Sequence, residues 1–437
     1  MFAVLRQRNF ACLWVGQLVS LIGDWVLFIA LPFYIYALTG STLATGIMFI
    51  VQTVPRLCFG SVAGVFVDRW NRKYTMIVTN LVQAGVLMPL FLVRSPEWLW
   101  IIYVFAFIDS SVSQFFTPAQ TAIIPQLVDE SNLLAANSLN STSTELTRLV
   151  GPFLGGLLLG LFGLNSVIIV DALSFLFSAL MISLIASPSR LALAKEDASR
   201  SSAGASVLKV WREWMDGLRV VRRERLVAAI FTVIGVAMIG EGLIEVLFTG
   251  YVEHVLHGTA VVLGWLMSAQ AIGGIVGSLL VVRLSKWLAP ALLIPLCGLI
   301  FGGLLAVVAL VPVLAVVLPL ITIIGASVIG FFVSQITLLQ SSVANEYQGR
   351  VFGAFGALQA IAMLVGMVLA SGLGDRLGIV PMVLVDAACN LLAALLAFVL
   401  IRPALPTGSP FPVAEECCGE AAPGGILVRE APGVGVH

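Results

Sequence analysis

Apolar runs of about 20 residues recur from end to end of this 437-residue chain. Each is long enough to cross ~30 Å of hydrocarbon as one helix. A water-soluble helical protein of this length would instead show amphipathic stripes, with one polar face per helix. Twelve spans are expected, near 10–38, 43–67, 74–94, 98–124, 135–162, 166–187, 226–252, 261–283, 290–311, 313–341, 351–373 and 380–401. Composition agrees, with 59% hydrophobic and 11% charged residues and a mean hydropathy of +1.06. The fold class this predicts is an all-α membrane protein embedded in a lipid bilayer.

Arg6 and Arg8 precede an apolar stretch that continues from Phe10 to Leu38. That is too long for the core of a cleaved signal, so it reads as an uncleaved first span. The net charge is zero, which suggests no nucleic-acid partner. Cys12, Cys58, Cys297 and Cys389 lie in apolar spans, while Cys417 and Cys418 lie in the tail. They form no metal or disulfide framework and read as ordinary free cysteines.

Of the 23 basic residues, Arg56 and Arg148 fall inside spans. Only Arg94 and Arg376 fall in loops on the side opposite the N-terminus. All the others share the N-terminal side, which places both termini in the cytoplasm. Residues 188–225 are the one long polar segment between spans, and Val207–Arg225 fits an amphipathic surface helix. The expected organisation is therefore a six-helix bundle over 1–187, a cytoplasmic linker over 188–225, a second bundle over 226–402 and a disordered tail over 403–437.

The two halves echo each other. Gly64 pairs with Gly277 at an offset of 213, Phe115-Phe116 with Phe331-Phe332 at 216, and Gly151 with Gly366 at 215. Repeats of this kind suggest a duplicated six-helix unit, an architecture of secondary transporters.

Five acids sit near the middle of their spans: Asp24, Asp109, Glu145, Glu241 and Glu245, against only Arg56 and Arg148. An ionised side chain facing lipid at mid-membrane costs about 2.5–3.5 kcal/mol or more, so these should face the bundle interior or a partner. Glu145 and Arg148 share a helix face, as do Glu241 and Glu245. Two carboxylates on one face in a poorly polarisable medium suit a proton or cation carrier. Arg148 against Glu145, and Arg56 against Asp24 or Asp109, also fit static pairs, whereas Glu241 and Glu245 have no evident basic partner. Asp171 and Asp386 read as interfacial, close to span ends.

Between the second and third spans stands a charged knot with Gly64, Asp68, Arg69, Arg72 and Lys73. Positive anchoring explains its cations but not Asp68. A carboxylate at a helix end can cap the start of another helix, so this loop reads as a conformational latch. The fifth span carries Gly151, Pro152, Gly155 and Gly156, with Gly160 following. Its two G-x-x-x-G pairs allow close helix approach, and Pro152 allows a bend. His254 and His257 lack further ligands for a metal. No phosphate loop or nucleophile–base constellation appears, so no enzyme and no cofactor are expected.

The loop G-x-x-x-D-R-x-x-R-K at Gly64–Lys73 resembles the signature loop of the major facilitator superfamily, and the resemblance extends over about 10–402. Gly151–Gly156 resembles that family's span-five motif in antiporters. Gly23-Asp24-Trp25, Ala30-Leu31-Pro32, Phe116–Ala119, Ile124–Val128, Ala136–Leu139, Gln340 and Gly349–Phe352 are similar to its macrolide-efflux and enterobactin-exporter branch. The resemblance implies two pseudo-symmetric six-helix bundles in a bacterial-type plasma membrane. It also implies proton-coupled efflux of a small amphipathic or hydrophobic molecule, conferring multidrug resistance, by rocker-switch alternating access; a monomer is one oligomeric state open to it. One departure stands out: Asp109 occupies the span-four region where many drug/proton antiporters carry arginine. A non-transporting sensor of this fold and a nutrient or ion importer are the alternatives.

Overall fold

A computed structural model describes residues 2–67, 69–186, 224–343 and 345–401. Asp68, the amphipathic helix expected over Val207–Arg225 (apart from its last two residues) and the tail lie outside the described residues. Among those described are twelve helices long and apolar enough to cross a membrane. They are α1 (Arg8–Thr39), α2 (Thr42–Val67), α3 (Arg72–Leu87), α4 (Leu99–Leu127), α5 (Leu133–Phe162), α6 (Leu164–Ser183), α7 (Arg225–Gly250), α8 (Ala260–Leu284), α9 (Pro290–Leu310), α10 (Leu314–Ser342), α11 (Asn345–Leu377) and α12 (Ile379–Leu396). A 3-10 turn extends α3 to Leu92, and π turns extend α7 to Val255 and α12 to Ile401. The expected spans match these helices to within several residues.

Local chemistry ends the helices. Gly163 (φ 76°) breaks the chain between α5 and α6, and Gly378 (φ 88°) does the same between α11 and α12. Only glycine adopts such angles without strain. Asn71 caps α3 by accepting from the amides of Lys73 and Tyr74 at 3.1 and 3.3 Å.

In the first half α1 packs on α5 and α6, α2 on α4, and α3 on α4 and α6. The second half repeats this: α7 packs on α11 and α12, α8 on α10, and α9 on α10 and α12. The halves meet mainly through α5 on α8 and α2 on α11, again a symmetric pair. This is the two-bundle architecture that the sequence echoes imply. Large apolar side chains such as Leu161, Phe162, Leu279, Val282 and Leu310 are exposed. An exposed apolar shell of this extent suits a lipid surround.

The two ends of the bundle differ. One apolar cluster runs through both halves, joining Val26, Leu31 and Met48 to Leu247, Tyr251, Leu263 and Val317. A second, with Phe10, Val67, Met76, Ile123 and Ile182, stays within the first half. Near the first cluster the halves are sealed together. At the other end, where α1 starts and α2 finishes, a Cβ added at Gly64, Gly349, Gly353 or Gly356 would meet nothing within 4 Å. These are called the closed and open ends below.

Candidate functional site

Between the halves lies a cavity of about 200 Å³. Trp25, Phe28, Phe49, Phe248 and Phe301 supply its aromatic wall, and Pro32, Leu263 and Met267 add aliphatic surface. Against this apolar wall stand Arg148 from α5 and Glu241 and Glu245 from α7. The two glutamates, one helical turn apart, are half-buried, and Arg148 is exposed to the cavity space. The charge of Arg148 acts on Glu241, and those of Arg56 and Arg148 act on Glu245. The partner that sequence spacing left open for these glutamates therefore comes from the other half. Glu145 is exposed, does not line this cavity, and forms no ion pair with Arg148 among the described residues. The helix register explains this. Glu145 lies most of a turn before Arg148, nearer the start of α5.

A second cavity of about 300 Å³ lies inside the first half. It brings together Asp24 (α1), Arg56 (α2), Gln83 (α3), Asp109 (α4) and Asp171 (α6). Gln83 donates to Asp109 through its side-chain amide at 2.9 Å. Trp25 and Phe28 line both cavities and form the wall between them. Arg56 lines the same cavity as these three acids, and its charge also acts on Glu245 in the other half.

Two acids correct the sequence reading. Asp171 and Asp386 are not interfacial; both are 0% exposed, in the interiors of α6 and α12. Each faces a glycine. Gly23 of α1 presses on Asp171 and Ser174, and Gly240 of α7 presses on Asp386 and Asn390. A helix this apolar gives no amphipathic signal to locate its buried face, which is why position within the span misled. The better signal was the repeat itself: the two aspartates stand 215 residues apart, the offset of the other echoes.

The closed end is built from glycines. Gly151 and Gly155 of α5 turn towards α1, where a Cβ would strike Trp25 and the backbone of Val26. Gly156 and Gly160 turn towards α8, where a Cβ would strike the backbone of Ala260 and the side chain of Val261. Pro152 lies beside Gly264 of α8 through its carbonyl. The Ser268 hydroxyl donates to the Leu149 carbonyl across the same seam at 2.8 Å. The two G-x-x-x-G pairs thus serve two different neighbours.

On the other seam Asp375, near the end of α11, caps the start of α2. It accepts from the Thr42 amide at 2.7 Å, the Thr42 hydroxyl at 2.6 Å, the Ser41 hydroxyl at 2.7 Å and the Leu43 amide at 3.4 Å. The sequence reading missed this latch, although Asp375-Arg376 repeats the Asp-Arg pair of the charged loop. Here the start of α2 meets the end of α11, so the two helices run antiparallel. Loss of a cap costs about 0.5–2 kcal/mol. Asp375→Ala is therefore expected to open the closed end in a larger fraction of molecules, read as faster labelling of a cysteine placed at Thr42. Unchanged labelling would remove the latch from the account.

At the open end, Arg72 donates to the Ala122 carbonyl of α4 at 3.0 Å. Lys73 donates to the carbonyls of Ser183 and Ile185 at 2.8 and 2.6 Å, a favourable place for a cation at the end of α6. Both stay within the first half. Arg69 is exposed in the turn after α2. Gly64 has free space around it. His254 meets Tyr36 edge-on at 5.1 Å, and among the described residues no acid, cysteine and histidine cluster could hold a metal.

The sequence profile described as Major Facilitator Superfamily matches residues 13–367. Macrolide efflux protein A of Streptococcus pyogenes is 27% identical over 377 residues, covering 85% of this chain and 91% of that protein. The multidrug efflux pump Tap of Mycolicibacterium fortuitum is 26% identical over 378 residues, covering 82% and 87%. A bacterial homologue of the iron transporter ferroportin, solved in an inward-facing state, superposes with a TM-score of 0.70 at 15% identity, covering 90% of this chain and 98% of that one. That likeness concerns the fold alone.

Proposed function

The chain belongs to the Major Facilitator Superfamily, and on that premise we propose that it expels a small amphipathic or hydrophobic molecule in exchange for protons. One observation carries this reading. The cavity between the halves combines an aromatic wall with two glutamates from one half and an arginine from the other. Aromatic and aliphatic surface accepts many apolar shapes with little directional demand. The glutamates offer sites where a proton and a cationic substrate exclude each other. Arg148 reports across the seam which form is present.

Among the described residues, Arg6, Arg8, Arg72, Lys73, Arg225, Arg283, Lys286 and Arg350 lie towards the open end, and Arg94 and Arg376 towards the closed end. The positive-inside rule then makes the open end cytoplasmic, and this conformation is inward-facing. Substrate enters from the cytoplasm or inner leaflet. Closure of the open end engages the charged loop of Arg69, Arg72 and Lys73, while the Asp375 cap and the α5–α8 seam release. Residues 1–187 and 226–402 move as the two bodies, joined by 188–225. The efflux activity of the macrolide and multidrug relatives supports the direction.

The test is accumulation of amphipathic drugs and siderophores by inverted membrane vesicles under an imposed pH gradient. Gradient-dependent accumulation of at least one compound is expected. Accumulation that ignores the gradient would contradict proton coupling, and solute moving the opposite way would favour an importer.

A further inference from the structure

The strongest unassigned feature of the molecule is its pair of sealed carboxyl groups, Asp171 and Asp386. Neither lines the central cavity; Asp171 borders the cavity of the first half but is 0% exposed. Each has one oxygen served by its own helix. The Ser174 hydroxyl reaches Oδ1 of Asp171 at 3.3 Å, and the Asn390 amide reaches Oδ1 of Asp386 at 2.7 Å. The other oxygen, Oδ2, is buried and without a hydrogen-bond partner in both. In each case the facing glycine is followed by an acid: Gly23-Asp24 on α1 and Gly240-Glu241 on α7. The same four-part arrangement of glycine, cavity acid, buried aspartate and helix-borne donor is therefore built twice, once per half.

Charge leaves little choice of ligand. Asp24 and Asp109 act on Asp171, and Arg56 lies in the same cavity. The charges of α3, Arg72 and Lys73, lie at its end, and those of α5, Glu145 and Arg148, lie outside this cavity. Glu241 acts on Asp386, with Cys389 on its own helix. Helix α9 carries no charged residue, and those of α11 lie near its ends. A carboxylate whose second oxygen faces neither donor nor cation is a costly thing to bury. In both halves the facing glycine lies against Oδ1 of the aspartate, with the next acid one residue along the same helix.

We propose that Asp171 and Asp386 are proton-binding groups, one per half, each carrying its proton on the partnerless Oδ2 and exchanging it with the acid beside the facing glycine, Asp24 or Glu241. The proton leaves Oδ2 as the neighbouring carboxylate takes it up, so one acid and one carboxylate remain on each side of the step. Glu241 faces the central cavity and Asp24 the cavity of the first half, and the buried aspartates store the proton while the central cavity is occupied. This rests on the proton-coupled reading above for its purpose, but not for its detection.

The test is infrared difference spectroscopy of the full chain in lipid, with a step from acid to alkaline buffer as the only perturbation. The protonated-carboxyl region should lose intensity in the wild type. Asp171→Asn and Asp386→Asn should each remove one component, and the double variant both. Difference spectra unchanged by both substitutions, in protein shown to be folded by circular dichroism, would overturn the proposal. If the Asn variants do not fold, Ser174→Ala and Asn390→Ala remove the donor on Oδ1 and should shift the same components; absence of any shift would count against it equally. The spectra need no substrate. If the two components titrate while no compound moves with the pH gradient, the proton sites stand and the transport reading falls. If transport is proton-driven but the spectra ignore both aspartates, the reverse holds.

Discussion

Gly156→Val should leave a folded protein that transports poorly, whereas Gly155→Val next to it should impair folding. Both glycines lie against another helix's backbone, but not the same one. Gly155 meets Val26 of α1 within its own half, and Gly156 meets Ala260 of α8 across the seam. Strain at Gly155 is present in every folded conformation. Strain at Gly156 exists only while the closed end is sealed. Overpacking costs about 1–3 kcal/mol. Placed on one conformer alone, that changes its population by roughly 5- to 150-fold. A spin-label pair across the α5–α8 seam should report a longer mean distance in Gly156→Val, together with lost transport. Equal folding defects in the two variants would show that the seam does not open.

Replacing both cavity glutamates, Glu241→Gln with Glu245→Gln, should abolish proton-driven accumulation and leave substrate exchange across the membrane. The amide keeps the shape and some hydrogen bonding of the acid but cannot take up the proton. Each single variant should retain part of the coupling, because Arg148 acts on both positions and the remaining glutamate still answers it. Arg148→Ala should be more damaging to substrate exchange than either single change, since it leaves two carboxylates facing each other in a low-dielectric cavity. Wild-type accumulation by the double glutamine variant would move coupling out of the central cavity altogether.

The fold was legible in the sequence because membrane helices announce themselves. Uninterrupted apolar length gives the spans, and the offsets of Gly64, Phe115 and Gly151 give the duplication. The site was legible only in part. Spacing along one helix correctly set Glu241 beside Glu245, but it also set Glu145 beside Arg148, which the fold separates by facing Arg148 across the seam. Pairings between distant helices, such as Asp375 with Thr42 or Asp171 with Gly23, leave no local trace. What carries them is helix rotation, and a helix that is apolar all round encodes rotation in its few glycines and polar residues alone. Gly23 and Gly240 were that trace for the two sealed aspartates. Asp171 and Asp386 sit at the repeat offset, so the internal echo pointed where depth along the span did not.

The most direct test of the central claim is proton movement in liposomes loaded with a pH-sensitive dye, on addition of a compound that accumulates in the vesicle assay. Exchange through the Glu241–Glu245–Arg148 cavity predicts a substrate-dependent pH change in the wild type that vanishes in Glu241→Gln with Glu245→Gln. A pH change of equal size in that variant, or substrate flux in the wild type with no proton movement, would contradict it.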